Sequence, residues 1–176
     1  MMALRAPPHR RVRIWSAVSL ALLSGLAATL LWQPAPLLLW NASASSKVGL
    51  YAGMPRAAPL RGDMAVAWPP SPARRLAAAR GYLPFQVPLV KRVAAVAGDD
   101  VCATRHRILI NRRQVAVRRA RDPAGRPMPS WSGCARLKPG ELFLLSAGAA
   151  LAFDGRYFGV THGEEVIGKA RLLWAR

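Results

Sequence analysis

Short apolar runs along the chain predict a set of β-strands. Four of them have the length and composition of strands, at residues 61–68, 87–98, 141–147 and 164–174. The run 87–98 is rich in valine and apolar on both faces, which is typical of a strand buried within a sheet. Two alternating runs on either side of Asn111 and Arg112, within residues 106–117, predict a β-hairpin.

One short helix is predicted between the first two strands. Ser71 and Pro72 form an N-cap and first-turn pair, an alanine- and arginine-rich stretch follows, and Gly81 ends it. The fold class predicted for residues 41–176 is therefore mainly β, antiparallel, with one short helix.

The most apolar segment predicts a transmembrane helix near the amino terminus. Residues 14–32 include no charged side chain and are long enough to cross a bilayer core as a helix. Four arginines precede this segment, at positions 5, 10, 11 and 13. The positive-inside rule therefore predicts a cytoplasmic basic tail over residues 1–13, a single-pass anchor over 14–32 and an exported domain over 41–176.

A cleaved secretory signal is the alternative interpretation of the same segment. Ala42 and Ala44 would then supply a small-residue cleavage site directly before Ser45. The apolar run is longer than the usual core of a secretory signal, which favours a retained anchor. Both interpretations export the rest of the chain.

The charge of the chain first suggests a nucleic-acid or anionic-membrane partner. The formal net charge is +18, from 26 Lys and Arg against 8 Asp and Glu. However, no basic run is interleaved with aromatic residues, as a surface for stacking bases requires. We therefore predict contact with the membrane and no nucleic-acid partner.

The two cysteines, Cys102 and Cys134, both lie in the exported part of the chain. An oxidising compartment favours a disulfide between them, and two separate buried thiols are the alternative. Neither has histidine or acidic neighbours at the spacing of a zinc site. No metal and no cofactor are predicted.

A search for a catalytic base leads to Lys91. Arginine cannot lose its proton near neutral pH, so only the four lysines remain among the cations. Lys91 alone lies within an apolar strand, where burial would lower its pKa and make it a general base. The alternative is that Lys91 points outward from an edge strand, where lysine discourages aggregation.

A nucleophile is suggested by the clustered serines Ser43, Ser45 and Ser46, which follow the apolar segment. An alternative site is a Ser-His-Asp triad built on His162 and Asp154. Eight residues between a histidine and an aspartate in a loop are unremarkable spacing, so the triad is disfavoured.

Three segments resemble, in order and approximate spacing, motifs of the signal peptidase I superfamily. They are Asn-Ala-Ser-Ala-Ser-Ser-Lys-Val-Gly-Leu-Tyr at 41–51, the Lys-Arg-Val to Gly-Asp stretch at 89–102, and the stretch ending in Phe-Asp-Gly-Arg-Tyr-Phe-Gly at 140–159. The resemblance is greatest to the TraF-type branch, the peptidases of conjugative plasmid transfer. It covers most of residues 41–173 and implies a signal peptidase I-like catalytic domain.

The resemblance also implies roles for five residues. Ser45 stands where the family has its nucleophile, four residues before Gly-Leu-Tyr, and Lys91 where it has its base. Ser43 stands where a hydroxyl helps to hold the oxyanion. Asp154 and Arg156 match a pair that braces the site by a salt bridge.

Three positions depart from the family pattern. Lys47 replaces a proline after the nucleophile, Ala152 replaces a serine whose hydroxyl orients the lysine in relatives, and Val160 replaces a proline. These departures bear on activity more than on fold.

The function implied is that of a membrane-anchored serine endopeptidase with a Ser-Lys dyad, in the bacterial inner membrane with its catalytic domain in the periplasm. The implied substrate is an exported precursor, a conjugative prepilin, and acyl transfer gives a cyclic pilin in some relatives. Components of the conjugation or type IV secretion apparatus are the implied partners. The alternative is a catalytically impaired assembly component of that apparatus, suggested by Lys47 and Ala152. A general signal peptidase is disfavoured because that enzyme usually has a longer chain.

Overall fold

The computed structural model describes residues 8–31, 35 and 37–176. The chain divides into two compact units, Met1–Ala35 and Pro36–Arg176.

The described residues of the first unit include one helix, α1, which runs from Pro8 to Leu31. Within it, His9–Ala28 is long and apolar enough to cross a membrane, a property that secretory signals share. The helix begins before the predicted boundary at residue 14, because arginines at positions 10, 11 and 13 are good helix formers and continue it. Trp32, the predicted end of the anchor, lies outside the described residues.

The second unit contains ten strands, two short α-helices and one turn of 3-10 helix among its described residues. The strands are β1 (Leu38–Asn41), β2 (Gly49–Pro55), β3 (Met64–Ala67), β4 (Leu89–Ala95), β5 (Asp100–Thr104), β6 (Arg107–Ile110), β7 (Arg113–Val117), β8 (Gly133–Arg136), β9 (Phe143–Leu144) and β10 (Val166–Ala175). The helices are α2 (Ser71–Ala79) and α3 (Gly155–Phe158), and the 3-10 turn is Gly163–Glu165.

These strands form two antiparallel sheets. The larger has the order β1-β2-β10-β3-β4-β9 and the smaller the order β7-β6-β5-β8. A core that includes Ala95, Val101, Ile108 and Phe143 joins residues of both sheets. The predicted fold class, mainly antiparallel β with one amino-terminal apolar helix and a short helix, is confirmed.

The hairpin and the buried strand are also as predicted. Asn111 and Arg112 both have positive φ, 49° and 67°, which is the conformation of a tight two-residue turn between β6 and β7. Strand β4 lies between β3 and β9, so it is an inner strand of the larger sheet.

Other local predictions need correction. The run 141–147 forms only the two-residue strand β9, because the chain leaves the sheet to build the segment before α3. Helix α2 starts at Ser71 with Pro70 as its N-cap, since the carbonyl of Pro70 accepts the first helical hydrogen bond, from the N–H of Arg74 at 2.9 Å.

The predicted disulfide is present in the smaller sheet. Cys102 of β5 and Cys134 of β8 are directly opposite each other in the antiparallel pair and are bonded through their sulfur atoms. The alternative of two separate thiols is therefore excluded by the structure.

Candidate active site

The clustered serines lie in a tight turn that Asn41 organises. The Asn41 amide nitrogen donates hydrogen bonds to the carbonyl oxygens of Ser43 and Lys47, each at 3.0 Å. Its side-chain oxygen accepts the N–H of Ser43 at 3.2 Å. The Tyr51 hydroxyl also donates to the carbonyl of Lys47, at 2.9 Å. An asparagine that bonds its own following backbone is a common turn device, and here it fixes the conformation of the whole turn.

Ser46 connects this turn to strand β4. Its hydroxyl donates a hydrogen bond to the carbonyl oxygen of Val90 at 3.1 Å. Because Val90 immediately precedes Lys91, this bond places the turn over residues 41–47, which we call the serine turn, beside Lys91. Sequence reasoning assigned no role to Asn41 or Ser46, although an asparagine at a turn is a readable signal.

Lys91 is buried on β4 and reaches Ser45. It pairs with Ala65 of β3, and only 4% of its surface is exposed. Its Nζ donates a hydrogen bond to the Oγ of Ser45. The alternative of an outward-pointing lysine at a strand edge is therefore wrong.

Burial also sets the protonation of Lys91. Desolvation lowers the pKa of Lys91 from its ordinary value of 10.5 to about 8. The negative charge of Asp154 raises this pKa and the positive charge of Arg156 lowers it, both by smaller amounts. A lysine of this pKa is partly neutral near physiological pH and can accept a proton.

Ser43 lies on the other side of Ser45. The two Oγ atoms are 2.7 Å apart, and the N–H of Ser45 donates to the Oγ of Ser43 at 3.4 Å. A hydroxyl and a backbone N–H are therefore adjacent at the same point of the turn. Both groups are hydrogen-bond donors of the kind that can stabilise an oxyanion.

Asp154 and Arg156 form a buried ion pair at the start of α3. The Arg156 Nε donates to Asp154 at 2.8 Å, and the same carboxylate accepts the N–H of Ser146 at 2.9 Å. Arg156 also donates to the carbonyl of Ser146 at 2.8 Å. A Cβ at Gly155 would lie 2.8 Å from the carbonyl oxygen of Leu144, so only glycine fits between the paired residues. The pair holds the backbone between β9 and α3.

A cleft of about 1150 Å³ opens beside the clustered serines and Lys91. Ser43, Ser45 and Lys91 line it, together with Ala152. Its volume and mostly apolar lining suit a segment of extended peptide. The apolar lining includes Leu39, Trp40, Leu83, Val87, Met128 and Phe153.

The alternative triad is not assembled. The Asp154 carboxylate is fully buried against Arg156, whereas the His162 side chain is 57% exposed and contacts Glu141 at 3.1 Å.

Two of the positions that depart from the family pattern lie near the candidate site. Lys47 is exposed at the turn, and Ala152 is buried. Within the described residues, no group of three or more His, Cys, Asp or Glu side chains could hold a metal ion.

Comparison with known proteins gives one family for nearly the whole chain. The profile of the family described as signal peptidase, peptidase S26, matches residues 10–175. A plasmid transfer protein, TraF, of Escherichia coli is 36% identical over 92 residues, which are 49% of this chain and 51% of the relative. The match thus spans about half the length of that curated relative.

A crystal structure of a signal peptidase I from Enterococcus faecalis is also similar. The alignment has 18% sequence identity and a TM-score of 0.35, and it covers 63% of this chain and 95% of the other.

Proposed function

Because the chain belongs to the signal peptidase family, peptidase S26, we propose that it is a membrane-anchored serine endopeptidase with Ser45 as nucleophile and Lys91 as general base. The observation that carries this proposal is the hydrogen bond between the buried Lys91 amine and the Ser45 hydroxyl. A serine hydroxyl becomes an effective nucleophile when a neighbouring base takes its proton.

The chemistry follows from this contact. Neutral Lys91 accepts the proton of Ser45 as its Oγ bonds to the carbonyl carbon of the scissile peptide. The N–H of Ser45 and the hydroxyl of Ser43 donate to the oxyanion, and loss of one such donor typically costs about 10²- to 10³-fold in rate. As the C–N bond breaks, Lys91 returns the proton to the leaving amine.

The second half of the reaction releases the acyl group. A nucleophile gives its proton to Lys91 and attacks the Ser45 ester, and the alcohol of Ser45 leaves with that proton. Water as the nucleophile gives hydrolysis. The amino terminus of the substrate as the nucleophile gives a cyclic product.

The substrate we propose is an exported precursor of a conjugation apparatus, a prepilin. Support comes from the likeness to a relative named as a plasmid transfer protein. We place helix α1 in the bacterial inner membrane and residues 41–176 in the periplasm, where other components of the transfer apparatus would be partners. Reporter enzymes fused after Arg176 test this placement. A reporter that functions only in the periplasm should be active, and one that functions only in the cytoplasm should be inactive.

Proteolysis can be tested without knowing the substrate. The purified full chain in detergent is incubated with a peptide library made from a digested bacterial proteome, and newly formed amino termini are identified by mass spectrometry. Wild-type protein should produce them and Ser45→Ala should not. Ser71→Ala, an exposed serine at the start of α2, is the matched control and should cut as wild type does. No cleavage by wild type would contradict the proposal.

A non-catalytic assembly component is the second candidate. It is favoured by Ala152, a buried residue of the cleft without the hydroxyl that relatives use to orient the lysine. The same library assay decides between the two functions, because an assembly component produces no Ser45-dependent cleavage.

A further inference from the structure

One wall of the cleft carries unneutralised positive charge. The cleft is lined by Arg119, Arg121 and Asp122, in the segment after β7. We refer to Arg119 and Arg121 as the arginine wall. Asp122 is the only carboxylate among the described residues that line the cleft.

Asp122 does not neutralise the arginine wall, because its carboxylate is already paired with two other arginines, Arg126 and Arg80. Its carboxylate lies 2.7 Å from the Nε of Arg126 and 3.8 Å from Arg80. The Tyr82 hydroxyl also donates to it. Burial opposes its charged form, but the hydrogen bonds from Tyr82 and Arg126 hold the pKa of Asp122 at about 2.

The two arginines of the wall are exposed and lack acidic partners. Arg121 donates to the carbonyl of Gly125 at 2.7 Å, a bond that leaves its charge uncompensated. The Arg119 side chain has no hydrogen bond or ion pair with any residue that the structure describes. Their positive charge is therefore available to a ligand in the cleft.

We propose that the arginine wall selects peptide substrates with acidic residues in the segment that occupies the cleft. The inference rests on the proposed function and names its substrate class. A peptide is favoured over a nucleic acid because the arginines share one cleft with Ser45 and Lys91, and most of the remaining lining is apolar. Complementary charge across an interface gives specificity, and it weakens as salt screens it.

The test uses the peptide library described above with the full chain. We expect aspartate and glutamate to be enriched on one side of the cleavage site. In a synthetic peptide from the library, exchanging the acidic residue for lysine should lower kcat/KM by roughly three- to tenfold at low salt. Arg119→Glu/Arg121→Glu should reverse this preference.

Arg107→Glu/Arg113→Glu is the matched control, because it makes the same change in net charge on the exposed β6–β7 hairpin. It should leave the preference intact. Ser45-dependent cleavage without acidic enrichment would overturn the arginine wall and leave the proposed function standing. Absence of any cleavage would overturn both. A third outcome would assign the arginine wall to a nucleic acid instead of a peptide. In that outcome acidic residues are not enriched, and a single-stranded oligonucleotide binds the wild type and the control variant but not Arg119→Glu/Arg121→Glu.

A separate observation concerns Ser146, whose hydroxyl is buried and unused. Ser146 is 7% exposed, and its Oγ has no hydrogen-bond partner among the described residues. Its backbone is fixed, because its N–H donates to Asp154 and its carbonyl accepts from Arg156. Buried hydroxyls without partners are uncommon in folded proteins.

The register of β4 and β9, extended two residues beyond the end of β9, places Ser146 opposite Lys91. Leu144 is paired with Val93, and the N–H of Leu145 donates to the carbonyl of Arg92 at 3.0 Å. The next residues in this antiparallel alignment are Ser146 and Lys91. Directly opposite residues direct their side chains to the same face of a sheet, with Cβ atoms about 5 Å apart.

We infer that Ser146 is a positioning residue for the base. Among the described residues the Nζ of Lys91 has one hydrogen-bond partner, the Oγ of Ser45. That oxygen is taken up by the ester bond in the acyl-enzyme, which leaves the amine without a partner. Rotation about χ1 brings the Ser146 hydroxyl toward Nζ, where it holds the amine for the second half of the reaction. Two charged groups affect the pKa of Lys91, and they are Asp154 and Arg156. These two side chains form an ion pair with each other.

Ser146→Ala tests this role, with Thr161→Val as the matched control because Thr161 has the other buried hydroxyl without a partner among the described residues. Ser146→Ala should lower kcat about tenfold with KM unchanged. It should also move the acid limb of the pH profile to lower pH, since the hydroxyl stabilises the ammonium form more than the amine. Thr161→Val should do neither. A Ser146→Ala enzyme with an unchanged pH profile would overturn the inference, whatever its kcat.

Discussion

The Nζ of Lys91 donates a hydrogen bond to the Oγ of Ser45, although the two residues lie in different elements and are 46 positions apart in the chain. The turn held by Asn41 supplies the serine and the inner strand β4 supplies the lysine. This contact joins the proposed nucleophile to the proposed base, whose pKa is lowered by burial.

Activity should rise with pH through about 8. Lys91 accepts the serine proton only when neutral, and burial lowers its pKa to about 8. The kcat/KM of a peptide substrate should therefore fall about tenfold for each pH unit below that value. His162→Gln should leave this limb in place, because His162 is exposed and lies outside the cleft lining. An acid limb that disappears in His162→Gln would contradict the assignment of the base.

The free energy of unfolding should also depend on the protonation of Lys91. The pKa of Lys91 is lower in the folded state than its ordinary value of 10.5, so the unfolded chain binds more protons between pH 8 and 10.5. The stability contribution of Lys91 should thus rise by about 3 kcal/mol across this window. Denaturant unfolding of wild type and Lys91→Met at several pH values measures it. A constant difference between the two proteins would refute a buried lysine.

Removing the disulfide should weaken the fold without abolishing catalysis. Cys102 and Cys134 are separated by 32 positions, and closing such a loop contributes about 3 to 4 kcal/mol on the chain-entropy model. Cys102→Ala/Cys134→Ala should lose that much free energy of unfolding. It should still cleave peptide at low temperature, since the bridge lies in the smaller sheet. Two thiols that titrate freely in the native wild-type protein would show that the bridge is absent.

The serine turn should depend on Asn41 more than on its surroundings. Asn41→Ala removes donors to the carbonyls of Ser43 and Lys47, so Ser45 loses its fixed position relative to Lys91. A small misplacement can cost about 10²-fold in rate, and we expect a loss of that order in kcat. Asn41→Asp keeps the acceptor for the N–H of Ser43 and should be intermediate. Equal kcat for Asn41→Ala and wild type would show that the turn holds itself.

The sequence was most informative where a pattern is local. The alternating runs around Asn111 and Arg112 predicted the hairpin, because a two-residue turn with positive φ is encoded by its own residues. The valine-rich run predicted that β4 is buried, and the structure places it between β3 and β9.

Strands defined mainly by their partners were missed. Strand β2 contains two glycines and ends in proline, a composition that is poor for a strand, yet it is paired on both sides by β1 and β10. Strands β1, β5 and β8, of four or five residues each, were not predicted either. Tertiary pairing outweighed local preference in β2.

The candidate site shows the same division. The pattern around Lys91 suggested a buried base but left an edge position open, because periodicity does not reveal which strand lies beside β4. The bond from Ser46 to Val90 could not be read from the sequence, since it joins the turn to a carbonyl group whose position depends on the fold, whereas the bonds of Asn41 lie within the turn. The family resemblance selected Ser45 among three serines, where local chemistry alone did not.

The central claim is that Lys91 removes the proton of Ser45, and Lys91→Arg tests it most directly. Arginine keeps the positive charge and much of the length of lysine but cannot give up its proton. The measurement is the rate at which the full chain in detergent cleaves a peptide identified from the library, at pH 9, where wild-type Lys91 is mostly neutral. Lys138→Arg, an exposed substitution of the same kind, is the control. The account predicts cleavage at the wild-type rate by Lys138→Arg and none by a folded Lys91→Arg protein, and cleavage by Lys91→Arg at the wild-type rate would contradict it.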